Sequence, residues 1–434
     1  MSHRMALRLG AALVFLAAGC AHAQTTAPAY TQQQVATAVA AGSSMYPFVW
    51  CATGPHAASV DFAGVPIRRD AVMFYEHQFG LYPRIWVPPN NPAVIYNDNG
   101  SIPQRTDWPA HLAKARQDIA RMIPDPNWEG DAILDFEAWD PVWNLLNWRM
   151  KEESRRHVRA RFPGLTMAQV EARAKQEFEA AAIDFMVRTI QFCKQERPRA
   201  KWGYFGYPYV HLDPYRATHH QRIFDECTAF YPDIYTTDYG GTDPSVRPET
   251  GRRLASVWEQ GARTKLGIAR QIAGTRPVYA VIWTRYHDMN RFYAGQFIND
   301  LDLRNAITVP RSAGADGSVF WDYIPEASGA QAYNQFFASR GAEAIRQFYL
   351  QIAPPPAPLL SVSAPKPFSN RVPTIQNGEL SPRVLERTST QTGNGATTPA
   401  PAPAPTQTAQ APGVAPLVKQ KNGRVTTVTN APIN

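Results

Sequence analysis

The amino-acid sequence predicts an α/β fold, a TIM-type (β/α) barrel of irregular build. Short apolar segments alternate with longer amphipathic ones over roughly residues 40–350. That stretch has a size that suits one barrel, and it carries no central glycine-rich nucleotide fingerprint that would favour a doubly wound sheet. The alternation does not count the strands and leaves other α/β arrangements open. With 44% apolar and 18% charged positions among 434 residues, the chain can bury a sizeable core.

In chain order, residues 1–23 read as an export signal, with Arg4 and Arg8 ahead of an apolar run from Leu9 to Ala18 and small residues around Cys20 and Ala23. The run is too short and wrongly flanked for a permanent membrane span. Ala21-His22-Ala23 suits cleavage to a soluble, secreted or periplasmic protein, whereas Ala17-Ala18-Gly19-Cys20 resembles a lipoprotein signal. Soluble export is preferred to a lipid anchor on Cys20, because Ala17 stands where lipoprotein signals carry Leu.

Leu112, Ala115, Ile119 and Met122 recur at helical spacing. Ile133-Leu134 is the first candidate buried strand and runs straight into acidic residues. After the breaker Gly164, Thr166 and Gln169 form a capping-box signature, and Phe178, Ala182, Phe185 and Thr189 mark one side of the helix it starts. Tyr279–Trp283 and Ser318–Trp321 are further candidate strands. Over 354–434, Pro, Ala, Thr, Ser, Gln and Asn dominate, with too few large apolar side chains to offset the entropy of ordering them. A disordered tail is expected there, serving as a tether or simply solvated.

Composition bounds function loosely. Removal of the signal leaves Cys51, Cys193 and Cys227, an odd number that guarantees no particular bridge. The net charge of +8 modestly favours anionic polymers, although part of it belongs to the signal and tail. No basic stripe interleaved with accessible aromatics supports nucleic-acid binding. Lys151–Arg156 reads as a wet helix face. His211, Asp213, His219 and His220 form the densest His/Asp cluster, but their intervals match no metal site and a solvated loop is the preferred reading. The mature chain is expected to need no cofactor or metal and to carry no membrane span.

The most informative stretch is Asp131-Ala132-Ile133-Leu134-Asp135-Phe136-Glu137. Strand geometry points Asp135 and Glu137 to one side and Phe136 to the other. At the C-terminal mouth of a barrel strand, that places both acids where substrates bind. Neighbouring carboxylates raise the proton affinity of at least one of the pair, and a retained proton is what a leaving alkoxide requires. Two acids on one strand are awkward for attack from opposite sides of a sugar. They suit substrate-assisted chemistry, in which the acetamido oxygen of an N-acetylhexosamine is the nucleophile. Glu137, further out, is then the acid, and Asp135 is the acetamide's partner. A helix cap or a structural ion pair is the plain alternative for this motif alone.

Several ordered motifs across 45–325 resemble the hyaluronidase family of animal tissues and insect venoms, here as a divergent, bacterial-type member. Asp135-Phe136-Glu137-Ala138-Trp139-Asp140-Pro141 is similar to the family's Asp-Trp-Glu core and the acidic residue, Trp, Arg and Pro that follow it. Phe74–Pro83 resembles the stretch ending Gly-Leu-Tyr-Pro, and Asn99–Gln104 the Asn-Gly-Gly-Ile-Pro-Gln turn. Trp202–Pro208, Phe230–Tyr235 and Gly314–Trp321 resemble three later motifs. The resemblance implies an irregular barrel and a retaining, acetamide-assisted cleavage of β-linked N-acetylhexosamine bonds in hyaluronan or chondroitin. It gives acid/base duty to Glu137, acetamide orientation to Asp135 with help from Tyr235, and a hydrophobic wall to Trp321. Tyr75, Trp139, Asp140, Tyr204, Phe205, Tyr207 and Trp283 join the expected substrate-binding set.

The departures are equally specific. Phe205 stands where the family commonly has a Tyr. Asp140 replaces an Arg suited to a uronate carboxylate, which reverses the local field. Val210 occupies the place of one family cysteine. The leading expectation is an endo-acting hydrolase of hyaluronan, chondroitin or a related N-acetylhexosamine polysaccharide. The alternatives are the same chemistry on an uncharged N-acetylglucosamine polymer or peptidoglycan, and a catalytically weak carbohydrate-binding envelope protein.

Overall fold

The computed structural model describes residues 30–88, 91, 93–208, 214–237, 252–290, 293–354, 417–421 and 424–427, with the backbone alone for 214–217, 252–256, 417–421 and 424–427. The expected signal, most of the tail, Val210, His211 and Asp213 lie outside these residues.

Helix α1, Gln32–Met45, is capped by Thr31 and leads into strand β1, Phe48–Trp50. Strands β2, Ile67–Arg68, and β3, Ala71–Tyr75, follow. A hairpin of β4, Arg84–Trp86, and β5, Tyr96–Asp98, precedes α2, Trp108–Met122, whose first turn is capped by Asp107. Next come β6, Asp131–Asp135; α3, Trp148–Arg161; α4, Met167–Glu196; β7, Lys201–Tyr204; α5, Pro214–Glu226; and α6, Arg252–Ala273. The barrel region ends with β8, Tyr279–Ile282; α7, Asp300–Ser312; β9, Gly317–Phe320; α8, Ala327–Phe336; and α9, Ala342–Ile352. The capping box at α4 forms as the sequence predicts, Thr166 N donating to Gln169 Oε1 at 2.9 Å and Gln169 N to Thr166 Oγ1 at 3.4 Å.

All strand pairings of the central layer are parallel. They run β2-β1-β9-β8 in one sheet and β3-β6-β7 in another. Between β7 and β8, residues 230–233 make isolated parallel bridges to both sides, Phe205 with Tyr231, and Phe230 and Asp233 with Val278 and Val281. Arg69 and Asp70 interrupt the chain between β2 and β3. The result is an irregular TIM-type barrel of very short strands. Gly203 lets one neighbour come close, because a Cβ there would lie 2.2 Å from the carbonyl oxygen of Ala229.

Strand alternation divides the core into two layers. Phe48, Trp50, Phe74, Leu134, Trp202, Tyr204 and Phe320 face outward and pack with helix residues such as Phe178, Phe185 and Ile190. Val49, Cys51, Met73, Ile133, Phe205, Tyr231, Val281, Val319 and Trp321 fill the interior. Cys51, Cys193 and Cys227 are all free and buried. Burial holds the Cys51 thiol well above its ordinary range, with Asp131 and Asp135 adding to the effect.

Two expectations need adjustment. The charge run on α3 is partly a seam rather than a purely wet face, since Arg155 reaches across to Glu171 of α4 and Glu153 binds Arg105. Within the tail, β10, Leu417–Lys421, pairs antiparallel with β11, Arg424–Thr427. Leu417, Val418, Val425, Thr426 and Thr427 are residues of strand preference, a local signal that the overall tail composition hides.

Candidate active site

Strand β6 ends on Asp135, whose side of the strand it shares with Asp131 and Ile133 in the barrel interior. Asp135 is only 3% exposed. Phe136 turns outward against Tyr82 at 4.7 Å between ring centres, and Glu137 emerges exposed at the rim. The parallel register sets Tyr75, the last residue of β3, beside Asp135.

An aromatic wall surrounds this point. Trp321 Nε1 donates to the Tyr75 hydroxyl oxygen at 2.9 Å, and the Tyr75 and Thr53 hydroxyls share a hydrogen bond at 3.2 Å. Tyr235 lies 5.8 Å from the rings of both Trp321 and Trp283 and 5.9 Å from Phe205. Trp283 meets Trp321 edge to face at 5.3 Å. Burial pushes the Tyr235 hydroxyl far above its ordinary range, and the charges of Asp233, Asp135 and Glu137 push in the same direction. Burial and Asp135 do the same to Tyr75. Both phenols therefore hold their protons.

Glu76, unremarked in the sequence, bridges β3 and the end of β6. Its Oε2 accepts from the backbone N–H of Glu137 at 3.0 Å and of Ala138 at 2.8 Å. Its Oε1 meets Arg84 at 3.1 Å, and Arg84 also binds Asp98 at 2.8 Å. Beside it, His77 stacks on Tyr75 and is lowered to about 4 by burial and by Arg84. An acidic residue in the Phe74–Pro83 motif was the signal available in the sequence. Its contact with residue 137 depends on sheet register, which the sequence does not display.

Asp135, Glu137, Tyr75, Phe205, Tyr235, Trp283 and Trp321 thus converge at the C-terminal ends of the strands. Four other expected substrate-binding residues do not. Trp139 is buried in the outer layer, stacked on Tyr82 at 5.0 Å with its indole N–H on the Pro83 carbonyl. Tyr204 faces opposite to Phe205 by strand alternation and donates to the Met186 carbonyl of α4. Tyr207 is 1% exposed and lies in the outer layer between Tyr204 and His220. Asp140 is largely covered; its Oδ1 accepts from Val142 N at 2.9 Å and lies 3.6 Å from His220 Nε2. The expected solvated His loop is also corrected, because His219 and His220 sit on α5 and His220 is fully buried. A cavity of about 440 Å³, lined by Ser43, Ser44, Pro47, Pro66, Ile67 and Arg68, lies at the other end of the strands, away from these groups.

The profile of the hyaluronidase family matches residues 65–338. The chain belongs to the hyaluronidase family. It is 32% identical to human (Homo sapiens) hyaluronidase-1 over 274 residues, which are 58% of either chain. It is 34% identical to the chondroitin hydrolase of Caenorhabditis elegans over 180 residues, 38% of either chain. The match thus spans little more than half the length of the human relative. The crystal structure of bee venom hyaluronidase in complex with a hyaluronic acid tetramer superposes with a TM-score of 0.57 at 20% identity, covering 70% of this chain and 99% of that one. The matched hyaluronidase segment begins just before β2 and ends just past α8, so every convergent residue from Tyr75 to Trp321 falls inside it.

Proposed function

We propose that this protein is an exported, retaining endo-β-N-acetylhexosaminidase that cleaves hyaluronan, chondroitin or a related glycan with the substrate's own acetamide as nucleophile. The acetamide carbonyl oxygen attacks the anomeric carbon, the glycosidic C–O bond breaks, and protonated Glu137 gives its proton to the departing oxygen. Water then attacks the same carbon, the ring formed by the acetamide reopens, and the Glu137 carboxylate takes a proton from that water. Two inversions at one carbon leave the configuration unchanged.

The observation that carries the reading is the contrast between Asp135 and Glu137: one carboxylate is 3% exposed beneath an aromatic wall, while the next on the same side is open at the rim. A covered carboxylate suits a partner that must orient an amide and balance the positive charge developing on it. An open one suits a group that must exchange its proton with leaving group and water in turn. Tyr235 is a protonated phenol beside Asp135, and the indole of Trp321, fixed by Tyr75, offers an apolar surface for the acetamide methyl. Phe205 means one hydroxyl fewer than the family pattern at this wall.

A preference for an uncharged polymer rested on the reversed field at Asp140. That carboxylate caps a turn and faces His220, so it presents little anionic surface to a uronate. The charged polymers remain the leading substrates. The mature protein, whose intact mass also reads whether it starts at Gln24 or carries lipid on Cys20, is to be incubated with hyaluronan, chondroitin, chitin oligomers and peptidoglycan. Mass spectrometry is expected to find new N-acetylhexosamine reducing ends from hyaluronan or chondroitin, in oligosaccharides of several lengths. A folded protein that binds these glycans and cleaves none would establish the carbohydrate-binding alternative instead.

A further inference from the structure

The β6 ladder stops before the proposed acid. The last registered pair with β3 is Tyr75 with Asp135, and on the other side Phe205 N donates to Leu134 O. Beyond that point, among the described residues, Glu137 and Ala138 enter no registered strand pair. A single side-chain oxygen, Glu76 Oε2, accepts from both their N–H groups, at 3.0 and 2.8 Å. Two amides converging on one largely covered carboxylate oxygen is an arrangement with strict geometry, because each N–H must point at the same acceptor.

The clamp is itself braced. Glu76 N donates to the Asp135 carbonyl at 3.1 Å, so its backbone is tied to the same strand its side chain serves. Glu76 Oε1 is held by Arg84, which Asp98 holds in turn, and the side chains of Arg84 and Glu76 are 10% and 15% exposed. Pro83, next to Arg84, takes the indole N–H of Trp139 at 2.6 Å. Residues 136 and 139 are therefore anchored in the outer layer by their rings, while the peptides of 137 and 138 are anchored by Glu76. Glu137 is exposed, and this bracket restrains its backbone N–H.

We infer that Glu76 is a positioning residue for the acid: by gripping the amides of Glu137 and Ala138, it sets the direction in which the Glu137 carboxyl leaves the rim. The inference rests on Glu137 being the proton donor. It makes a distinction that ordinary structural support would not. The acetamide arm, Asp135 with Tyr235 and Trp321, is fixed by strand register and ring packing and does not pass through the Glu76 side chain, whose substitution leaves the Glu76 N–H bond to the Asp135 carbonyl in place. Loss of the clamp therefore impairs proton delivery and leaves acetamide attack intact, and the impairment disappears when the leaving group needs no proton.

The test uses the whole protein with two probes, a hyaluronan hexasaccharide and a nitrophenyl β-glycoside ending in the same N-acetylhexosamine. Glu76→Ala is expected to lower kcat on the hexasaccharide about 10–100-fold, a part of the 10²–10⁴-fold that general acid catalysis supplies, with KM changed less than about 2-fold. On the nitrophenyl glycoside the loss should be under about 3-fold, and adding Glu76→Ala to Glu137→Gln should cost less than about 2-fold more, since both act on one step. Equal losses on the two probes, or full additivity in the double variant, would overturn the inference, as would an unchanged hexasaccharide rate. If Glu76→Ala fails to fold, Glu76→Gln combined with Arg84→Met keeps an acceptor for both amides and is compared with Glu76→Met combined with Arg84→Met. Near-native activity in the first and the leaving-group-dependent loss in the second support the inference; equal activities overturn it. Glu137→Gln alone separates the two claims: if it is crippled on the hexasaccharide while the Glu76 variants are not, only the positioning role fails, and if it retains a native rate, the assignment of the acid fails and takes this inference with it.

Discussion

Asp135 and Glu137 stand two positions apart on one side of a strand, yet the first is covered by aromatic rings and the second is open to solvent. Their proposed roles lead to different responses to substitution. Glu137→Gln preserves size and removes the transferable proton, so turnover of the natural polymer should fall about 10²–10⁴-fold. Asp135→Asn should cripple turnover comparably, because a neutral amide does not support positive charge developing on the acetamide. Steady-state rates on a nitrophenyl glycoside tell them apart: a good leaving group should partly rescue Glu137→Gln and do much less for Asp135→Asn. Rescue confined to Asp135→Asn would exchange the two roles, and near-native rates in both folded variants would remove the site altogether. At this scale the sequence was legible wherever period-two alternation alone decides, as for Asp135 and Glu137 against Phe136. It did not display the outward placement of Tyr204 and Trp139, which the resemblance had put with the substrate and which are buried with their polar atoms on backbone carbonyls.

Among elements, the two ends of the strands do different work. The C-terminal ends carry the convergent site, whereas the N-terminal end of β6 carries Asp131, fully buried between Arg68 at 3.3 Å and the Tyr231 hydroxyl at 3.1 Å. Burial pushes Asp131 up to about 6 in spite of Lys201, Arg68 and Tyr231, while Asp70 pushes it in the same upward direction. Between its ordinary 3.8 and about 6, the folded protein binds this proton more tightly than the unfolded chain, so this group's contribution to stability declines as pH rises through that window. Urea midpoints at pH 5 and pH 7 should show a smaller drop for Asp131→Asn than for the native protein; an equal drop would mean that Asp131 is charged throughout. The helices were legible from their caps and stripes, Thr166 with Gln169 being local pairs that need no tertiary context. The residue 230–233 strand was not, because it is held by isolated bridges and by the close approach that Gly203 permits rather than by a run of its own. Glu76 escaped for a related reason: its partners lie 61 and 62 positions away and meet it only through the β3–β6 register.

For the whole molecule, membership of the hyaluronidase family and the superposition on bee venom hyaluronidase agree with the irregular barrel. Among the described residues, no helix is long and apolar enough to cross a membrane. The central claim is that the proposed site runs a double displacement, two inversions at the anomeric carbon, and not a single direct attack by water. The stereochemistry of the first product reads that claim directly. Time-resolved proton NMR of a hyaluronan hexasaccharide digested by the native protein should show the β-anomer of the new N-acetylhexosamine reducing end accumulating first, with the α-anomer growing in only as mutarotation proceeds. An α-anomer formed first would mean a single inversion by water, and would contradict the account.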